Sequence, residues 1–196
     1  MLSVMNRIIL TSVFPIILFL SSTIGYSQQI TIHEVNVADN SGSAKLLVKL
    51  PDTWSISGVS VVLRDEYQEA IAGVQFTVIC NAECGDKDLS RMPKVIDEVL
   101  ETRSRPNVGT GDPAMDAVRL KVDVIEQGDV ADGKFRITRV TKPDGLEGPY
   151  REQLYVVCVQ AKRGAKMVVV QGWAPLAREK ELGPAIINAC KTFEIK

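Results

Sequence analysis

Asp112 and Asp116 are the pair of side chains in this chain best spaced for catalysis. They flank Pro113-Ala114-Met115 in a loop that also carries Gly109 and Gly111. Two carboxylates at that spacing can share a cation or work as an acid–base pair, the chemistry of a carboxylate-dependent hydrolase. Other catalytic arrangements lack parts. His33 is the single histidine and no Gly-x-Ser-x-Gly elbow occurs, so neither a serine nor a cysteine triad can be assembled around it with its usual partners. One imidazole also rules out a histidine-built metal site, and His33 reads as a structural or solvent-exposed residue. Gly109-Thr110-Gly111-Asp112-Pro113 has glycines but not the lysine of a phosphate loop. The bland reading of the acidic pair is that Asp112 caps a turn before Pro113 while Asp116 faces water. Asp123, Glu126 and Asp129 read as ordinary outer-face residues of a strand end. On these grounds the chain is read as a non-enzyme, with no cofactor and no metal.

Basic residues offer a second kind of site. Arg136, Arg139 and Lys142 fall on one expected strand and its exit, and Lys162, Arg163 and Lys166 surround an expected hairpin tip. Were those strands neighbours, the six would form a cationic patch able to receive an acidic partner. The alternative is that they guard exposed strands and turns against edge-to-edge association. With Asp112 and Asp116, the residues Arg136, Arg139, Lys142, Lys162 and Arg163 form the set of candidate binding residues.

The cysteines are four: Cys80, Cys84, Cys158 and Cys190. An even count in an oxidising compartment favours disulfides, with three possible connectivities. The expected pairs are Cys80–Cys84, across a short turn, and Cys158–Cys190, joining a strand to the last helix. The second closes a long loop, worth about 3 kcal/mol in the chain-entropy view. Alternatively Cys158, inside Val156-Val157-Cys158-Val159, is a buried small apolar residue. A four-cysteine zinc site is a poorer fit, because only one pair is close in sequence.

The oxidising compartment follows from residues 1–27. Arg7 is followed by the uncharged apolar run Ile8–Leu20, and Gly25-Tyr26-Ser27 puts small residues at −3 and −1 of a cleavage site. This is the pattern of a secretory signal peptide cut after Ser27. The run is too short for a stable anchor and contains Pro15. The expectation is therefore one globular domain over 28–196, periplasmic or secreted, with no membrane span once the leader is removed. Its charge is nearly balanced: the whole chain has 23 basic and 24 acidic residues, and Arg7 is the only charge in the leader. That balance gives no electrostatic case for nucleic acid.

The elements that must position these residues can be read from hydrophobic period. Gln28–Asn40, Ala44–Leu50, Val59–Leu63 and Ala70–Ile79 are alternating or β-branched runs separated by turn residues, so the first half is mostly strand. Asp88–Arg105 changes period: Met92, Val95, Ile96, Val99 and Leu100 recur at helical spacing, with Ser90 as the expected N-cap and Pro93 in the first turn. Strands resume at Val118–Val124, after the Asp132-Gly133 turn signal at Phe135–Ile137, and at Leu154–Gln160 and Met167–Gln171, the last two a hairpin around Arg163-Gly164. Ala177–Cys190 closes the chain as a helix interrupted at Gly183-Pro184. The pattern predicts an α+β fold, a central mostly antiparallel sheet flanked by helices.

This order of elements resembles the family that includes photosystem PsbP, the nuclear transport factor Mog1 and the bacterial envelope protein DcrB. The residues that carry the likeness are Leu50-Pro51-Asp52-Thr53-Trp54 at the end of an early strand, the amphipathic helix over Asp88–Arg105, and Val168–Trp173 leading into Ile186–Phe193. The four cysteines and the Gly109–Asp116 loop lie outside the family pattern. The resemblance implies an α/β/α sandwich that binds other proteins and does not catalyse. Relatives of this shape that neutralise toxins make an immunity protein one implied role, beside an envelope accessory protein. A small-ligand carrier, with a cavity between sheet and helices, is the alternative from a different class.

Overall fold

A computed structural model describes residues 29–39, 42–80, 90–106, 110, 112–146, 150–162 and 166–196. The first strands are β1 (Ile30–Asp39), β2 (Gly42–Pro51), β3 (Ser55–Ser57), β4 (Ser60–Arg64) and β5 (Ala70–Cys80). Helix α1 (Met92–Ser104) and the single turn α2 (Pro113–Asp116) follow. Next come β6 (Lys121–Val130), β7 (Gly133–Thr141), β8 (Gln153–Lys162) and β9 (Lys166–Pro175). A 3-10 turn at Leu176–Arg178 leads into α3 (Glu179–Thr192) and the short β10 (Glu194–Ile195).

The strands make two sheets. The larger has the order β3-β4-β5-β9-β8-β7-β6, with each neighbouring pair antiparallel. The smaller is β1-β2-β10, in which β1 and β2 form a hairpin from Ile30↔Pro51 to Asp39↔Gly42. This is the expected α+β arrangement. The central strands of the large sheet are buried on both faces, so β8 is a nearly continuous apolar run and does not alternate.

The two faces of that sheet carry separate cores. One is covered by α3 and the small sheet, and holds Leu154, Val156, Cys158, Val168 and Val170 against Ile186, Ala189, Cys190, Leu46, Val48 and Trp54. Trp54, at the end of the Leu50-Pro51-Asp52-Thr53-Trp54 stretch, is thus buried in this core. On the other face α1 lays Met92, Ile96 and Leu100 over Val140, Tyr155, Val157, Val159, Met167 and Val169. Helix α3 comes closest to the sheet at Gly172. A Cβ there would lie 2.3 Å from Ile186 Cγ2 and 2.8 Å from Cys190 Sγ, so only glycine admits the helix at this distance.

Several local expectations need correction. The amphipathic helix begins at Met92, with Arg91 as its N-cap residue and no side-chain cap, so Ser90 does not serve. Pro93 sets this limit, because a residue without an N–H fits only in the first turn. Pro184 lies inside α3 and does not interrupt it. Its side is exposed, while Leu182, Gly183, Ile186, Ala189 and Cys190 are buried along the other, and that packing holds the helix through the missing hydrogen bond.

The Cys158–Cys190 disulfide is not formed: both thiols are free and buried. They occupy one core layer as small apolar side chains, Cys158 on β8 and Cys190 on α3. Burial pushes the Cys158 thiol up to about 12 and the Cys190 thiol well above its ordinary value, which keeps both protonated. The Cys80–Cys84 pair lies outside the described residues, apart from the Cys80 backbone at the end of β5.

Candidate functional site

The strand period that seals β8 onto α3 also delivers polar side chains to the α1 face. Leu154, Val156 and Cys158 point to one core, and Gln153, Tyr155 and Val157 to the other side of the sheet. Helix α1 covers Val157 and Val159, then runs out near the start of β8, leaving an open cleft of about 620 Å³. Gln153, Tyr155 and Gln171 line it from the sheet, Val99, Arg103 and Arg105 from α1 and its exit. Leu120, Tyr150 and Arg151 complete its rim from the connecting segments.

Arg103 is held in place from two directions. Its guanidinium lies over the Tyr155 ring, 5.0 Å from the centroid, and one of its NH2 groups donates to Gln153 Oε1. The Tyr155 hydroxyl donates in turn to Gln171 Oε1. Both acceptors are neutral, so the arginine is oriented without losing its positive charge. Burial is the main cause that pushes the Tyr155 hydroxyl up to about 12, against the opposing pull of Arg103. Arg105, the residue after α1, pairs with Glu101. Arg151 makes no ion pair among the described residues. Among the described residues no carboxylate lines the cleft. Chemically, it offers arginine forks, an aromatic face and apolar flanks, and no nucleophile beside a base.

The residues singled out in the sequence fall elsewhere. Asp112 Oδ1 accepts from the Ala114 backbone N–H at 2.9 Å and caps α2. Asp116 Oδ1 accepts from the Thr110 N–H at 3.0 Å and from its hydroxyl at 2.7 Å. The two carboxylates therefore tie down their own loop, and Asp116 does not simply face water.

The cationic patch is not assembled among the described residues. Arg136 and Arg139 stand on opposite faces of β7. Arg136 reaches Asp97 on α1, and Arg139 grips Glu179 on α3 through two bonds of 2.9 and 3.0 Å. Three residues along a strand is an odd step, which separates side chains to opposite faces. Lys142 lies beyond β7, and its backbone N–H donates to Glu152 Oε1 at 3.3 Å. Lys162 closes β8 opposite Lys166, but its side chain and all of Arg163 lie outside the described residues. His33 is buried, with Nε2 3.4 Å from the Pro51 carbonyl oxygen, a structural position.

Spacing does not point to this cleft: Arg103 and Arg105 lie at the end of α1 off its apolar stripe, and Arg151 lies in the connection between β7 and β8. A signal was nonetheless present: Gln153, Tyr155 and Gln171 are polar interruptions in otherwise apolar strands, and all three share the α1 side.

No protein-family profile matches the chain, and no curated protein matches it. Solved structures are similar to it, among them the following three. The solution structure of cyanobacterial PsbP (CyanoP) from Synechocystis sp. PCC 6803 is 16% identical, with a TM-score of 0.49 over 90% of this chain and 99% of that one. The crystal structure of LpqN, described as involved in cell envelope biogenesis of Mycobacterium tuberculosis, is 12% identical, with a TM-score of 0.47 over 84% of this chain and 91% of that one. The Saccharomyces cerevisiae Ran-binding protein Mog1p is 10% identical, with a TM-score of 0.48 over 85% of this chain and 96% of that one. PsbP and Mog1, which the order of elements in the sequence resembles, are both named among these structures.

Proposed function

We propose that residues 1–27 are removed on export, that 28–196 act as one domain in the periplasm or outside the cell, and that the domain binds another protein without catalysis. The observation that carries this reading is the α1-side cleft. It presents preorganised cationic and aromatic groups to solvent, and the carboxylates that might have catalysed are spent on their own loop. A toxin delivered to the envelope is the sharpest form of partner, making this an immunity protein; an envelope component is the duller one. Neither nucleic acid nor a membrane is the partner on this reading. Among the described residues no helix is long and apolar enough to cross a membrane.

The test is a pull-down of the tagged exported protein from its own cells and from secretions of neighbouring strains, followed by mass spectrometry. One partner recovered near one-to-one supports the reading, and its identity separates immunity from an accessory role. The second reading, a small-ligand carrier, draws on the cleft's volume, which falls within the range of about 300–1,000 Å³ usual for small-molecule sites. A bait that captures nothing, yet is stabilised against heat by a small molecule, would replace the first reading with the second.

A further inference from the structure

The binding reading leaves open what enters the cleft, and the inference below rests on that reading. Three guanidinium groups line the cleft and, among the described residues, only that of Arg105 has a carboxylate partner. Arg103 is the better-built of the other two. A guanidinium stacked on Tyr155 and tethered to Gln153 has already lost its rotamer freedom, so a ligand does not have to order it. Its remaining N–H groups form a planar fork suited to an oxyanion. Arg151 supplies a second uncommitted charge on the same rim.

The remaining walls narrow the choice. Val99, Pro106, Leu120 and the two tyrosine rings give apolar surface beside the charges, which a bare inorganic ion would leave wet. The cleft is open along the surface, as suits a stretch of chain laid in from outside. The whole chain carries a formal charge of −1, and that near balance gives no electrostatic case for a long polyanion such as RNA.

We propose that the cleft receives an acidic peptide segment of the partner protein, with one carboxylate on Arg103, a second on Arg151, and a neighbouring apolar side chain against Val99 and Leu120.

The experiment is a fluorescence-anisotropy titration of the exported protein with a labelled eight-residue peptide of alternating Glu and Leu. Its Gln-for-Glu counterpart, free glutarate and a single-stranded oligonucleotide serve as the other probes. The acidic peptide is expected to bind and to weaken as salt is raised. Arg103→Gln and Arg151→Gln are each expected to cost roughly tenfold or more in affinity, the usual scale of one charge-assisted contact. Arg139→Gln, which lies on the other face, is expected to leave binding unchanged. Arg151 makes no ion pair among the described residues, so an unaltered melting temperature in that variant separates lost binding from lost structure.

Equal binding of the Gln counterpart, no effect of either cleft variant, or no binding of the acidic peptide overturns the proposal. Tighter binding of glutarate or of the oligonucleotide than of the peptide overturns it as well, in favour of a free anion or a nucleic acid. The two levels fail separately. A partner pulled down undiminished by Arg151→Gln removes the acidic-segment inference and leaves the binding function standing, whereas a bait that captures nothing removes the function itself.

Discussion

The two faces of the large sheet show how one set of strands can serve stability on one side and recognition on the other. On the α3 face, β8 offers Leu154, Val156 and Cys158, β9 offers Val168, Val170 and Gly172, and α3 with the small sheet covers them. That core is packed from apolar side chains such as Leu154, Val156, Ile186 and Ala189. On the α1 face the same strands offer Val157, Val159 and Val169 to the helix, but Gln153, Tyr155 and Gln171 to a space that α1 does not reach. The difference comes from where each helix lies on the sheet, since α1 and α3 are nearly equal in length, at 13 and 14 residues, and both use ordinary apolar stripes. A helix that stops short leaves strand residues free to be polar, and the polar groups then hold an arginine.

If this division is right, substitutions should sort by face. The largest effect belongs to the sealed side. Gly172→Val drives two methyl groups into Ile186 and Cys190, and should destabilise the protein by about 3 kcal/mol, the upper range for overpacking. Denaturant unfolding measures it; a change within experimental error would mean that α3 is not seated as described. Ile186→Ala, a cavity in the same layer, should cost about 2–5 kcal/mol. On the open side, Tyr155→Phe removes the hydroxyl that donates to Gln171 and should cost about 1 kcal/mol.

Alkaline pH tests both faces together. Cys158 and Tyr155 are each raised to about 12, from ordinary values of 9.0 and 10.0, chiefly by burial. Each group is neutral in the native state and ionises first in the unfolded chain. Their contribution is therefore complete below pH 9 and is lost as pH rises from 9 to 12, at about 1.4 kcal/mol per pH unit for each group titrating. Urea midpoints should fall across that window. Cys158→Val should flatten the first part of the decline, and Tyr155→Phe the part above pH 10. A slope unaltered in both variants would place the alkaline sensitivity elsewhere.

The smallest effect is expected outside both cores. Asp112→Asn keeps a capping oxygen for Ala114, so stability should change by only a few tenths of a kcal/mol. Partner capture should be unaffected, whereas loss of function in that variant would revive the carboxylate reading.

Much of the architecture was legible because it rests on local period. Met92, Ile96 and Leu100 announce α1, and Leu46, Val48 and Leu50 announce β2, because burial on one face leaves a fixed spacing. Features that depend on distant partners were not legible in this way. Whether Pro184 ends α3 depends on how strongly its buried side is held, and that is a property of Gly172 and Leu154 across the interface. Cys158 and Cys190 meet as thiols in one apolar layer, where an even cysteine count in an oxidising compartment had suggested a bond.

The candidate site was least legible of all. Arg103, Tyr155 and Gln171 come from three elements, and only the register of β8 on β9, which sets Val157 opposite Gln171 and Tyr155 opposite Trp173, brings them together. Arg136 and Arg139 mislead for the same reason in reverse: close in sequence, they are separated by the pleat of a single strand.

The most direct test of the division between the faces is partner capture by the double variant Arg103→Glu/Arg151→Glu, measured beside its melting temperature and that of the unaltered protein. The account predicts a folded variant that no longer captures the partner recovered by the unaltered protein. A folded variant that captures it undiminished would contradict the assignment of recognition to the α1 face.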